Sequence, residues 1–150
     1  MKTFINLFVA PLLIFASQTL SAALMTFDDV PGGSISGSYG DMPTYQGFNF
    51  SSTLDWIDVV NSSSNYGAHS GDFALINNET GAGIIIEAGT MDFTFDGLWA
   101  KSSRTAPESG GEDILFGTLS GYNDGNLVWE VATGLNGSYE YYAAQAGMID

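Results

Sequence analysis

The stretch ILFGTLSGYNDGNLVWEVAT, residues 114–133, decides how the rest of the chain is read. Two runs rich in apolar residues, Ile114 to Tyr122 and Leu127 to Thr133, flank Asn123-Asp124-Gly125-Asn126. Asp and Gly both accept φ > 0, which a two-residue hairpin turn needs if its twist is to match that of the strands it joins. The stretch therefore predicts an antiparallel hairpin, with Trp129 in phase with Leu127 and Val131 and so facing the core.

Outward from this hairpin the same grammar repeats. Nineteen glycines, many clustered with Ser, Asn and Asp, cut the chain into short apolar runs at roughly the 8 to 12 residue spacing of a sandwich or barrel. Met91, Phe93 and Phe95 alternate with Asp92, Thr94 and Asp96, the pattern of a half-buried strand. Gly97 breaks that phase, because Leu98 and Ala100 would fall on the polar face if it continued, and a bulge or bend is expected there. Phe48, Phe50, Leu54 and Trp56 mark a hairpin or broken strand over 46–60, and Phe73 and Leu75 begin a strand that ends at Asn77-Asn78. Ile84-Ile85-Ile86 reads as a strand suited to burial on both faces.

Leu24 to Asp28 reads as a first strand, ending at Asp29 and closed by Pro31-Gly32-Gly33, and Tyr139, Tyr141 and Ala143 begin a last one after Asn136-Gly137. No stretch sustains a 3.6-residue period. About nine short antiparallel strands without a helix predict an all-β fold, an antiparallel β-sandwich of two stacked sheets or a jelly roll.

The beginning of the chain has a different character. Met1-Lys2 is a short positive segment, Phe4 to Ala16 is apolar, and Ser21 and Ala23 form a small-x-small site. Residues 1–23 therefore read as a cleavable secretory signal peptide and 24–150 as the mature domain. About 13 apolar residues span only ~20 Å as a helix, short of a ~30 Å hydrocarbon core, so this is not a membrane anchor, and no transmembrane segment is expected in the mature chain.

Charge narrows the partners. Removing the signal leaves Lys101 and Arg104 against 17 carboxylates, a net charge of about −15 by simple counting. Nucleic acid is excluded as a partner, since phosphate neutralisation needs a basic stripe. Carboxylates suit hard cations, calcium above all, as well as plain solubility. With zero cysteines and one histidine, disulfides, thiolate catalysis and zinc are out of reach.

Several features stand in a particular order: the signal, Phe27-Asp28-Asp29, Tyr45-Gln46-Gly47-Phe48, the strand ending Phe95-Asp96, Gly121-Tyr122-Asn123-Asp124-Gly125, and Gly147-Met148-Ile149-Asp150. Together they resemble the exported bacterial proteins of the PEP-CTERM type, whose β-sandwich is similar to galactose-binding jelly rolls. The resemblance implies a Gram-negative bacterial protein, secreted or at the cell surface, and a structural calcium near the end of the first strand, at Asp28 and Asp29. Members of that family continue with further strands, a Pro-Glu-Pro tag, a membrane helix and a basic tail. This chain stops before them, so its domain is expected to be incomplete at the C-terminus.

The remaining candidates follow from residue chemistry. Aromatic rings give flat apolar area with a polar edge, a stacking platform for sugars. Among the rings, Tyr39, Tyr45 and Tyr66 are expected in loops where a ligand can reach them. Asp28 and Asp29 serve equally as turn residues that hold backbone N–H groups. His69 has no Gly-x-Ser-x-Gly elbow beside it and reads as a solvated loop residue rather than part of a relay. Acid pairs such as Glu112-Asp113, or Glu87 with Glu130, would be needed for a glycosidase, but in so acidic a chain pairs arise by chance. The expected function is non-catalytic, the binding of extracellular polysaccharide or matrix. A structural envelope or biofilm-matrix protein acting by self-association is the alternative, and a small glycan hydrolase the third reading.

Overall fold

In a computed structural model the described residues are 24–30, 39–60, 67–79, 81–101, 117–133 and 138–150. The signal peptide, Tyr66 and Glu112-Asp113 lie outside them. The described residues form an all-β fold of antiparallel ladders with no helix. The strands are β1 (Tyr39–Asp41), β2 (Phe48–Phe50), β3 (Leu54–Asp58), β4 (Phe73–Asn77), β5 (Ile85–Glu87), β6 (Phe93–Thr94), β7 (Gly97–Ala100), β8 (Gly117–Asn123), β9 (Asn126–Thr133), β10 (Glu140–Ala143) and β11 (Met148–Ile149).

The β8–β9 hairpin forms as the sequence predicts, with Asp124 at φ 49° and Gly125 at φ 74° in its turn. One detail differs. The register shifts between Gly121 and Tyr122, so that Gly121 faces Trp129 while Tyr122 faces Leu127 and Val128 is the extra residue. Because neighbouring residues on β8 point to opposite sides, the bulge puts Leu127 and Trp129 on opposite faces. Leu127 is accordingly exposed, and Trp129 covers Gly121, where a Cβ would lie 2.2 Å from its ring.

Gly97 also behaves as expected. With φ at 124° it separates β6 from β7, a geometry that a residue with a Cβ adopts only under strain. β6 pairs with β11 and β7 with β10. The two registers differ by two residues, so 93–100 and 140–149 make one interrupted ribbon, bridged in the gap by Gln145 N–H donating to the Phe95 carbonyl at 3.2 Å. Phe93 meets Phe48 edge-on at 5.0 Å, and Phe95 meets Trp129 at 5.1 Å, so two rings two residues apart dock different ladders.

The core sits around β3, the centre of the β1-β3-β4 sheet, all five of whose residues are buried. Val30, Met42, Tyr45 and Trp56 form its heart, with Met25, Phe27, Phe50, Phe73 and Leu75 packed against them. Two expectations are corrected here. Residues 24–28 form no ladder: Phe27 turns the backbone at φ 66°, and Met25 and Phe27 contribute by packing instead. Ile84, Ile85 and Ile86 are 52%, 40% and 50% exposed rather than buried on both faces, and among the described strands β5 pairs only with β2.

Candidate functional site

β7 and β10 alternate cleanly. Leu98 and Tyr142, opposite each other, face inward and are half-buried and buried, while Trp99 and Tyr141, the next pair, face outward at 49% and 53% exposure. One register step beyond Ala100 and Glu140, the same face carries Lys101 and Tyr139. Cross-strand pairs of this kind bring side chains within contact. Trp99 and Tyr141 have ring centroids 5.3 Å apart, and Lys101 Nζ lies 5.0 Å from the centre of the Tyr139 ring.

The turn before β4 completes the cluster. Gly67 and Gly71, at φ 66° and 63°, bracket His69. Its ring stacks on Trp99 at 4.3 Å and 16° and meets Tyr139 edge-on at 5.4 Å. Two hydroxyls fix the arrangement: Tyr139 donates to the Gly67 carbonyl at 2.9 Å and Tyr141 to the Asp96 carbonyl at 3.0 Å. Burial raises the Tyr139 phenol above its ordinary value and lowers the Lys101 ammonium. The result is a surface of four rings with a cation at one end and ring N–H and hydroxyl groups at its margin. Such a surface stacks on a flat apolar face and hydrogen-bonds a polar rim, which is the chemistry of a sugar ring.

The residues singled out from the sequence fall elsewhere. Tyr39 is exposed, at 57%, but it stands in β1 opposite Ile57 rather than in a loop. Tyr45 is a correction: it is 4% exposed, its ring tilts against Phe27 at 5.7 Å, and its hydroxyl donates to Asp29 Oδ1 at 2.5 Å. Burial first, then the hydrogen bond to Asp29 and its charge, raise the Tyr45 phenol. His69 is exposed but packed between rings, not simply solvated.

Asp28 and Asp29 diverge. Asp28 Oδ1 accepts the Asp72 N–H at 3.1 Å, and its carboxylate fills the space beside Gly71 where a Cβ would stand. Asp29 holds Tyr45. Each ties the segment 24–30 to a different part of the body, and among the described residues no three His, Asp or Glu side chains are grouped so as to hold a metal ion.

Sequence reasoning passed over Trp99, Tyr139, Tyr141 and His69 as a group, although the signal was present. If Leu98 and Ala100 turn inward after the Gly97 break, Trp99 must turn outward, and Tyr139 and Tyr141 share a face by the same period of two. The position of His69 depends on a contact between distant segments, which no local pattern carries. No family model matches the chain, and no curated protein or solved structure shows significant similarity to it.

Proposed function

We propose that this chain is an exported, non-catalytic β-sandwich module that binds carbohydrate of the extracellular matrix or cell surface through the outer face of β7 and β10. The observation that supports this most is the exposed stack of His69 on Trp99 beside Tyr141. Large aromatic surfaces are usually withdrawn from water, and a cluster left outside marks an interaction site. The signal-like leader supports secretion, and the resemblance to PEP-CTERM-type proteins is what supports the jelly-roll topology and a structural calcium. Asp28 and Asp29 act as tethers in this reading.

The test is affinity electrophoresis through gels carrying soluble polysaccharides, with and without calcium. Trp99→Ala and Tyr141→Ala should abolish retardation. Tyr122→Ala, which removes a ring of similar exposure outside the cluster, should not. Absence of retardation by every glycan on a broad array would sink the proposal.

A second reading, self-association as a structural matrix component, is favoured by the exposed isoleucines at the β5 edge, since an open apolar edge invites pairing with another chain. Light scattering over a concentration series separates the two readings. A constant monomer argues against self-association, whereas a dimer abolished by Ile85→Lys argues for it.

A further inference from the structure

We infer that the glycan taken by the β7–β10 face is an uncharged chain in its dissolved, single-stranded form, and that the same polymer packed into a flat crystal is refused; this rests on the binding reading above. The four rings of the cluster are not equally open. Tyr139 is half-buried, with Lys101 Nζ over its face and His69 at its edge. His69 lies parallel to Trp99 at 4.3 Å and backs the indole. The broad open surface is that of Trp99 and Tyr141, at 49% and 53% exposure.

Those two rings are held at an angle. Side chains of a strand ordinarily stand off the sheet, but Tyr141 leans across onto the neighbouring strand. Its hydroxyl donates to the Asp96 carbonyl at 3.0 Å, and a Cβ on Gly97 would lie 2.8 Å from its Cζ. The bare backbone of Gly97 permits that posture. The planes of Trp99 and Tyr141 meet at 45° with centroids 5.3 Å apart. Rings in mutual contact admit nothing between them, so the pair makes one small bent surface. A crystalline polysaccharide presents a flat, rigid layer of sugars, against which only one of two inclined rings lies flush. A free chain turns about its glycosidic bonds, and successive sugars settle on each ring.

Area and charge narrow the occupant. An aromatic side chain buries about 150–250 Å² when fully covered, so two half-exposed rings together offer roughly the area of one. A stable protein interface takes about 800 Å² from each partner. The surface is thus too small for a folded partner and suits a short stretch of sugar. The formal net charge of the chain is −14, and like charges brought together cost affinity. An uncharged polymer meets no such opposition. The Tyr139 and Tyr141 hydroxyls at the margin already donate to the Gly67 and Asp96 carbonyls, so toward a ligand they accept, and sugar hydroxyls are donors.

The experiment keeps the sugar backbone constant and varies its packing and charge. Binding of the purified chain is measured to hydroxyethylcellulose, microcrystalline cellulose and carboxymethylcellulose, to glycol chitin and crystalline chitin, and to a broad glycan array. Each soluble neutral polymer should bind at least about tenfold more tightly than its crystal, since a flat surface forfeits one ring of two and about half of the buried apolar area. Carboxymethylcellulose should bind more weakly than hydroxyethylcellulose at about 50 mM salt, the gap closing toward about 500 mM. Tyr141→Phe, which frees the ring from Asp96, should narrow the soluble-to-crystal ratio, with far-ultraviolet circular dichroism establishing that the variant is folded. Three results overturn the inference and leave the carbohydrate reading standing: crystal adsorption as tight as soluble binding and abolished by Tyr141→Ala, a ratio unchanged in Tyr141→Phe, or array binding confined to acidic glycans. Neutral array glycans bound without adsorption to either crystal support it. Binding to none of the polymers, nor to any glycan on the array, overturns both.

Discussion

Trp56 and Trp99 both stand in antiparallel strands opposite a large partner, Leu75 for one and Tyr141 for the other. One is 8% exposed and the other 49%. The difference lies in the layer above each ring. Val30, Met42 and Tyr45 close over Trp56, with Phe73 tilted against it at 6.1 Å, whereas above Trp99 stands the ring of His69, itself exposed. Leaving half of a large aromatic side chain in water forgoes roughly 2–3 kcal/mol of burial. Ring content alone therefore does not distinguish a core from a site, but the presence or absence of a second layer does.

The largest effect should come from Trp56→Ala, which removes the centre of the covered cluster. Loss of about 3–5 kcal/mol in urea unfolding is expected, and a loss below ~1 kcal/mol would mean that the two tryptophans are not different in kind. Tyr45→Phe removes a hydrogen bond to a carboxylate beside the same cluster and should cost about 1.5–3 kcal/mol by the same assay.

That substitution also has a signature in pH. In the folded chain Tyr45 holds its proton to higher pH than in the unfolded chain. Its contribution is complete below the ordinary tyrosine value near 10 and is lost as pH rises from there through the raised folded value. Tyr139 acts with the same sign. Thermal unfolding followed from pH 9 to 12 should show a fall that is shallower in Tyr45→Phe.

Gly97→Ala probes the join between the two regions. A Cβ there would lie 2.4 Å from the Tyr141 hydroxyl and 2.8 Å from the Tyr142 carbonyl, at φ 124°. A cost of about 1–3 kcal/mol is expected, together with weakened glycan binding, because Tyr141 must move. The smallest effect on folding belongs to Trp99→Ala, about 1–2 kcal/mol, because only the part of the ring packed on His69 and Tyr141 is withdrawn from water, even though ligand retention disappears. Should Trp99→Ala unfold the protein as Trp56→Ala does, the outer ring is part of the scaffold and the comparison fails.

What could be read from the sequence follows the range of the interactions involved. The Asp124-Gly125 turn and the Gly97 break were legible because local conformational preference decides them. The Phe93 and Phe95 alternation was legible for the same reason. Ile84-Ile85-Ile86 misled, since a run of β-branched residues specifies a strand but not what lies over it. Leu127 misled because a single inserted residue, Val128, reversed the phase. Tyr45 reads as part of the loop that runs to Gly47, and its contacts with Phe27, Val30 and Trp56, distant along the chain, are what bury it. At the candidate site, β7 and β10 supply outward rings by simple alternation, but their meeting, and the arrival of His69, are tertiary facts.

The interrupted ribbon has a consequence for the order in which the molecule comes into being. Residues 93–100 find their ladder partners at 140–149, so this part of the sheet closes only when the chain between them has looped back. Pairings so distant along the chain place folding on the slow scale, on the order of milliseconds to seconds. The ring surface needs both strands and the turn that carries His69, so it forms only when loops tens of residues long have closed.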